Sequence, residues 1–316
     1  MEDKTEKILI FRTEHIGDYA LSLPFIKTIR ENYPSAKIDL VIGPWNKEFA
    51  EATPYVDNII LWDNPFVKRH IGIFEFFKPS NVKNVLSFFK GIRKEKYDMV
   101  LAFSNRKFIK ILVKFFKART KIAGFDYLPD ESEIERFNRM IRSLGMTKNE
   151  TPIELKLENT EKIEVDALFK NESEKRIIIH PITPLNEKNW DLANWAKLMN
   201  LLDESSKDDL FLIIGSESDR SKIDTLISNI KNKNNALNLA GQLTISQTVR
   251  LISKSNLMIG SDSGPIHFAE LTNTPILAIF GPTDEKRWGP HRSIDKIIKK
   301  EKINEIGVEE VFNLIK

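Results

Sequence analysis

The chain has 316 residues, more than one ordinary hydrophobic core accommodates, so two domains are expected. Its 41% hydrophobic and 29% charged residues fit a globular protein, and the absence of cysteine excludes disulfides, thiolate metal sites and cysteine nucleophiles. The opening MEDKTEKILIF mixes acids with a short apolar run, so no secretory signal is expected, and the chain lacks the roughly 18 consecutive apolar residues of a membrane span.

The net charge of +3 hides an asymmetry: residues 1–150 hold 26 Lys/Arg against 20 Asp/Glu, the remainder 22 against 25. From Lys78 to Lys121 there are 13 basic residues and two acids, Glu95 and Asp98, and 15 of the 20 Phe lie in the first 150 residues. Such a stretch is either a solvated helix face over a core or a surface for an anionic partner with apolar parts, such as a lipid headgroup.

In chain order, KILIF reads as a strand, ALSLPFIKTIRENYP as a helix ending at Tyr33-Pro34, KIDLVIG as a strand, EFAEATPYV as a helical piece and NIILW as a third strand. Residues 64–96 read as helical, aromatic and basic. YDMVLAF is a fourth strand, RKFIKILVKFFKA a basic helix, KIAGF a further strand, and 130–150 helical. The polar, acidic segment 151–173 marks the boundary. Beyond it RIIIH, DLFLIIG, NALNLAG, NLMIG and TPILAIFG read as strands, TPILAIFG as the last. LANWAKLMNLLDES, SDRSKIDTLISNIKN, ISQTVRLISKS and GPIHFAELTN read as helices between them, and EIGVEEVFNLIK as a helical tail. This alternation predicts an α/β fold of two facing Rossmann-like, doubly wound parallel-sheet domains, residues 1–155 and 156–316, with the tail helix packing back on the first.

Ligands of such sheets bind beyond the carboxyl ends of the strands, so the loops there carry the chemistry. The first, Arg12-Thr13-Glu14-His15-Ile16-Gly17-Asp18, opens the first helix. Asp18 is either a first-turn acid favoured by the helix dipole or a carboxylate facing the interdomain cleft, able to take a proton from an acceptor hydroxyl. The loop is not GxGxxG, so a dinucleotide fingerprint is absent here. The second loop, His180 to Trp190, holds Lys188, a point charge for a diphosphate or a solvated lysine, and Trp190, read as a core anchor. The third, Gly260-Ser261-Asp262-Ser263-Gly264-Pro265-Ile266-His267, joins a strand to a helix beginning near Pro265. Its amides and the helix dipole favour an anion. Ser263 adds a hydroxyl, Gly264 permits close approach, Asp262 can accept from sugar hydroxyls, and His267 lies a turn further on. The loop at Phe280-Gly281-Pro282-Thr283-Asp284 would shape the same pocket, and Glu217, after another strand, is a ribose ligand or a surface acid. At the start of the basic helix, Arg106 and Lys107 are candidates for acceptor contact.

With these loops in order, the chain resembles glycosyltransferase family 9, the ADP-heptose:lipopolysaccharide heptosyltransferases. The resemblance is carried by ILIFRTEHIGDYALSLPFIKTIRENYP, EKNW, LIIGSESD and NLAGQLTISQTVRLISKSNLMIGSDSGPIHFAELTNTPILAIFGPTDEKRWGP, together nearly the whole chain. It implies a GT-B fold, an inverting transfer, no metal and no cofactor beyond a nucleotide-sugar substrate. It implies that Asp18 is the catalytic base, Lys188 contacts the donor phosphate and sugar, Asp262 the donor sugar, and Ser263 and Gly264 the diphosphate. Thr183 matches a further phosphate contact, Glu217 the ribose acid, and Leu243 the place where backbone meets adenine. Departures are HPITP in place of H-P-G, and Asp191 where Pro commonly follows Trp190.

The expected activity is therefore transfer of a heptose from an ADP-sugar to a lipopolysaccharide-type or other surface-glycan acceptor, on the cytoplasmic side with peripheral contact at the inner membrane. Two alternatives stand beside it: a nucleotide-sugar epimerase, another GT-B enzyme, and a non-catalytic nucleotide-sugar-binding protein. No nucleic-acid partner is expected, since the second half is acidic and carries no recognised motif.

Overall fold

The structure, a computed structural model, describes residues 6–65, 78–147, 153–156, 165–168, 175–206 and 209–316. The chain divides into two compact units, Met1–Lys156 and Leu157–Lys316.

In the first unit, strands β1 (Lys7–Arg12), β2 (Lys37–Ile42), β3 (Asn58–Leu61), β4 (Met99–Ala102) and β5 (Thr120–Ala123) form a parallel sheet in the order β3-β2-β1-β4-β5. Central β1 is ILIF-rich and buried, as a parallel strand covered on both faces requires. Helix α1 (Ile16–Asn32) follows β1; α2 (Lys47–Glu51), α3 (Pro79–Ile92), α4 (Lys107–Lys114) and α5 (Glu133–Ser143) are the other described α-helices of this unit. Pro79 at the first turn of α3 and the Ser132/Glu135 capping box of α5 set where those helices begin. Among the described residues the Phe of the basic stretch are largely core: Phe88 stacks on Trp62 at 4.1 Å, and Phe116 meets Phe11 edge-on at 5.8 Å. The helical expectation for 64–96 is met over Pro79–Ile92, while 66–77 lie outside the described residues.

The second sheet contains β6 (Lys175–His180), β7 (Asp209–Ile213), β8 (Ala236–Asn238), β9 (Leu257–Ser261), β10 (Ile276–Phe280) and β11 (Lys296–Lys299), all parallel, ordered β11-β10-β9-β6-β7-β8. β11 corrects the expectation that TPILAIFG ends the sheet: the short KIIK adds an edge strand beyond it. Helices α6 (Leu192–Ser205), α7 (Arg220–Ser228), α8 (Ile245–Ser253), α9 (Gly264–Leu271), α10 (Glu285–Trp288) and α11 (Val308–Ile315) cover it. Tail helix α11 packs on its own unit, where Val308 and Val311 join Trp190, Trp195 and Leu198 in the core.

In both sheets the order of strand addition reverses beside the first strand, between β1 and β4 and between β6 and β9. There adjacent loops run to opposite faces and leave a crevice, which places the loops after β1, β6 and β9 where ligands of this architecture sit. No helix among the described residues is long and apolar enough to cross a membrane.

Candidate active site

Asp18 lies in the first turn of α1, half-buried, and its Oδ2 accepts the His15 amide at 3.1 Å. Its surroundings hold a residue that the sequence did not single out. Arg12, 2% exposed, ends β1 and donates Nε and a terminal N–H to the Asp18 carbonyl at 2.8 and 2.6 Å. The same guanidinium lies 3.7 Å from Glu14, 3.6 Å from the Asp18 carboxylate and 3.7 Å from Glu133. Glu133 in turn makes a two-pronged bond to buried Arg136 at 2.8 and 2.5 Å and accepts from Tyr127 Oη at 2.8 Å. Burial, with the Glu133 charge next, pushes the Tyr127 phenol well above its ordinary range, so it stays protonated and donates.

Glu14 is buried, and neither carboxylate oxygen makes a hydrogen bond among the described residues. Its charge is offset by Arg12 and, at 3.9 Å, by Arg106. Its backbone carbonyl is clamped by Trp45 Nε1 at 2.7 Å and Asn46 Nδ2 at 2.9 Å. Arg106, a candidate acceptor contact, precedes α4 and is partly exposed; Lys107, the other, is exposed. The first therefore stands beside the Asp18 loop, through Glu14.

In the second unit the fold joins two predicted residues directly. Lys188 closes a short 3-10 turn at Asn186–Lys188, and its ammonium forms a salt bridge with Asp262, 74 positions later. Both are 8% exposed. Gly281 permits the approach: a Cβ there would meet the Glu187 carbonyl at 3.0 Å and Ile303 at 3.1 Å, so the end of β10 packs flush under the Lys188 turn. Trp190 anchors that turn as expected, buried against Trp195 at 5.4 Å with its Nε1 donating to the Ile306 carbonyl at 3.1 Å. Thr183 is buried, and its hydroxyl donates to the Leu185 carbonyl at 3.1 Å, so here it braces its own loop.

Ser263 precedes α9 in extended conformation without capping it; its hydroxyl donates to the Ser261 carbonyl at 2.9 Å and meets His180 Nδ1 at 2.9 Å. Gly264 and Pro265 form the first turn of α9, so the amide-rich end of this helix opens beside Asp262. His267 is buried in the same helix with Nδ1 2.8 Å from Glu270. Asp284 is engaged in capping α10, accepting from the Lys286 and Arg287 amides.

Glu217 is exposed in the turn after β7. Gly241, at φ +70°, lies against it and donates to the Gly215 carbonyl at 3.0 Å. A Cβ on Gly241 would fall 2.7 Å from Glu217 Cα, so glycine is required for the two loops to meet. Half-buried Leu243 lies two residues beyond, which brings the ribose and adenine candidates to neighbouring strand ends.

Two Rossmann-like units with charged, glycine-bearing loops at their switch points are the architecture of the GT-B fold. The profile described as "Glycosyltransferase family 9 (heptosyltransferase)" matches residues 127–311, more than half of the chain, and the protein belongs to that family. Lipopolysaccharide heptosyltransferase 3 of Escherichia coli K12 is 28% identical over 297 residues, covering 87% of this chain and 82% of its own. Among solved structures, a family 9 glycosyl transferase from Veillonella parvula superposes with a TM-score of 0.79 at 17% identity, covering 99% and 97% of the two chains. E. coli heptosyltransferase WaaC with ADP superposes at 0.74 and 15%, covering 98% of each. These structural likenesses extend over both units.

Proposed function

We propose that the protein transfers a heptose from ADP-heptose to a lipopolysaccharide-type acceptor, with inversion and without a divalent metal. Family membership and the curated relatives, named as lipopolysaccharide heptosyltransferases, support the substrate class. The observation that carries the donor side is the buried Lys188–Asp262 pair beside the N-terminal turn of α9. Together they offer a cation and amides to a diphosphate and a carboxylate to sugar hydroxyls. Glu217 and Leu243 would receive the nucleoside.

In this reading Asp18 takes the proton of the acceptor hydroxyl as that oxygen attacks the anomeric carbon, and ADP departs. Lys188 and the amides at Ser263 and Gly264 stabilise the charge growing on the leaving diphosphate, the part a metal plays in other transferases. Arg12 keeps the Asp18 turn in place through the Asp18 carbonyl.

The acceptor would be held at an anionic membrane surface by α3 and α4. Leu86 (62% exposed) and Phe115 (61%) project outward with Val82 and Ile111, among exposed Lys83, Lys90, Arg93, Lys114 and Lys117. Phe89 and Phe115 meet at 6.2 Å, so the two helices present one apolar and basic surface. Flotation with vesicles containing anionic lipid tests this; recovery of the folded protein in the unbound fraction would refute it.

The test of the activity is incubation with ADP-heptose and a heptose-deficient lipopolysaccharide, with and without EDTA, following ADP release and acceptor mass. Gain of one heptose unaffected by EDTA is expected. No transfer from ADP-heptose, with transfer from UDP- or GDP-sugars, would overturn the donor assignment.

A further inference from the structure

His180 ends β6 opposite Gly260 of β9, and the missing side chain at Gly260 leaves room for it: a Cβ there would stand 3.2 Å from His180 Cβ. The ring is buried and reaches forward to the loop after β9, where Nδ1 lies 2.9 Å from Ser263 Oγ. That oxygen is also 2.9 Å from the Ser261 carbonyl. A serine hydroxyl has one proton and a carbonyl has none to give. Were Nδ1 unprotonated, two acceptors would compete for a single proton and one contact would be repulsive. Both contacts are satisfied only when Nδ1 carries a proton and donates to Oγ, while Oγ–H donates to the Ser261 carbonyl. Burial favours the neutral ring, lowering the His180 pKa to about 4, so one proton on Nδ1 leaves Nε2 without one near neutral pH.

We propose that His180 is a positioning residue for the donor diphosphate, its Nδ1–H holding Ser263 Oγ by a lone pair so that the hydroxyl proton is free to turn from the Ser261 carbonyl to a phosphate oxygen. No covalent bond is made or broken in this step; the O–H rotates about Cβ–Oγ, exchanging its hydrogen bond to the Ser261 carbonyl for one to the phosphate while the His180 contact persists. In the ligand-free protein the proton points inward, so Ser263 presents a phosphate donor only after this rotation. The proposal rests on the reading of the Ser263–Gly264 turn as the diphosphate site.

Nitrogen-15 NMR of the histidine-labelled, ligand-free protein reads the tautomer directly. A protonated Nδ1 and bare Nε2 at His180 are expected, and the opposite tautomer would overturn the proposal. ADP titration calorimetry then tests the coupling. His180→Leu is expected to weaken ADP binding roughly 2- to 10-fold, the worth of one hydrogen bond. Ser263→Ala should do the same, the double variant should lose no more than either, and His180→Asn, which keeps an N–H near the Nδ1 position, should retain most of the affinity. Full additivity of the two losses, or a His180→Asn variant as weak as His180→Leu, would overturn it. If ADP binding ignores both Ser263→Ala and Lys188→Met, the diphosphate reading itself fails, whereas the tautomer tests His180 independently.

Discussion

Replacing Arg12 with methionine removes the guanidinium at the end of β1 while keeping most of its aliphatic volume. The variant loses two charged hydrogen bonds to the Asp18 carbonyl, at 2.8 and 2.6 Å, and a cation 3.6–3.7 Å from three carboxylates. Glu133 keeps its bonds to Arg136, but Glu14 keeps only Arg106 at 3.9 Å, and its oxygens have no hydrogen bond to fall back on. Breaking a buried pair from one side costs about 3–5 kcal/mol, a large share of the roughly 5–15 kcal/mol that holds a domain together. For a unit of this size that is a fall in Tm of about 6–20 °C. Arg12→Lys should recover only part of it, because one ammonium cannot span three carboxylates and a carbonyl. Thermal unfolding followed by circular dichroism measures both. A Tm within about 2 °C of the parent for Arg12→Met would refute the view that this cation organises the β1 loop.

Two further outcomes follow from the second unit. Lys188→Met and Asp262→Leu should each cost about 3–5 kcal/mol in denaturant unfolding, and the double variant clearly less than their sum, because each single change strands a buried charge; additive losses would contradict a tight pair. The low pKa of His180, about 4 against an ordinary 6.5, means that the unfolded chain takes up a proton below pH 6.5 while the folded chain resists until about pH 4. Stability should therefore fall over this window by up to about 3 kcal/mol more in the parent than in His180→Asn; parallel pH profiles of the two proteins would contradict it.

The alternation of apolar runs and amphipathic stretches made both parallel sheets legible, and with them the loops at their carboxyl ends. That is why Lys188 and Asp262 could be singled out separately, although nothing local to either says that they pair. β11 escaped because KIIK is short, half-charged and an edge strand, buried less than its neighbours. Arg12, Glu133 and Arg136 read as ordinary charges because their burial depends on residues more than a hundred positions apart meeting behind β1. The one available signal was position: an arginine on the last residue of a central strand, where a long cation has no water to reach. The described Phe residues showed the converse, with aromatic residues that composition left open proving largely structural.

The most direct measurement is the turnover of Asp18→Asn with ADP-heptose and a heptose-deficient lipopolysaccharide, beside calorimetry of ADP binding to the same variant. Loss of a general base lowers turnover by roughly 100-fold or more, and ADP affinity should stay within about 2-fold of the parent, a difference worth only ~0.4 kcal/mol. Parental turnover in a variant that still binds ADP would contradict the assignment of this carboxylate as the base.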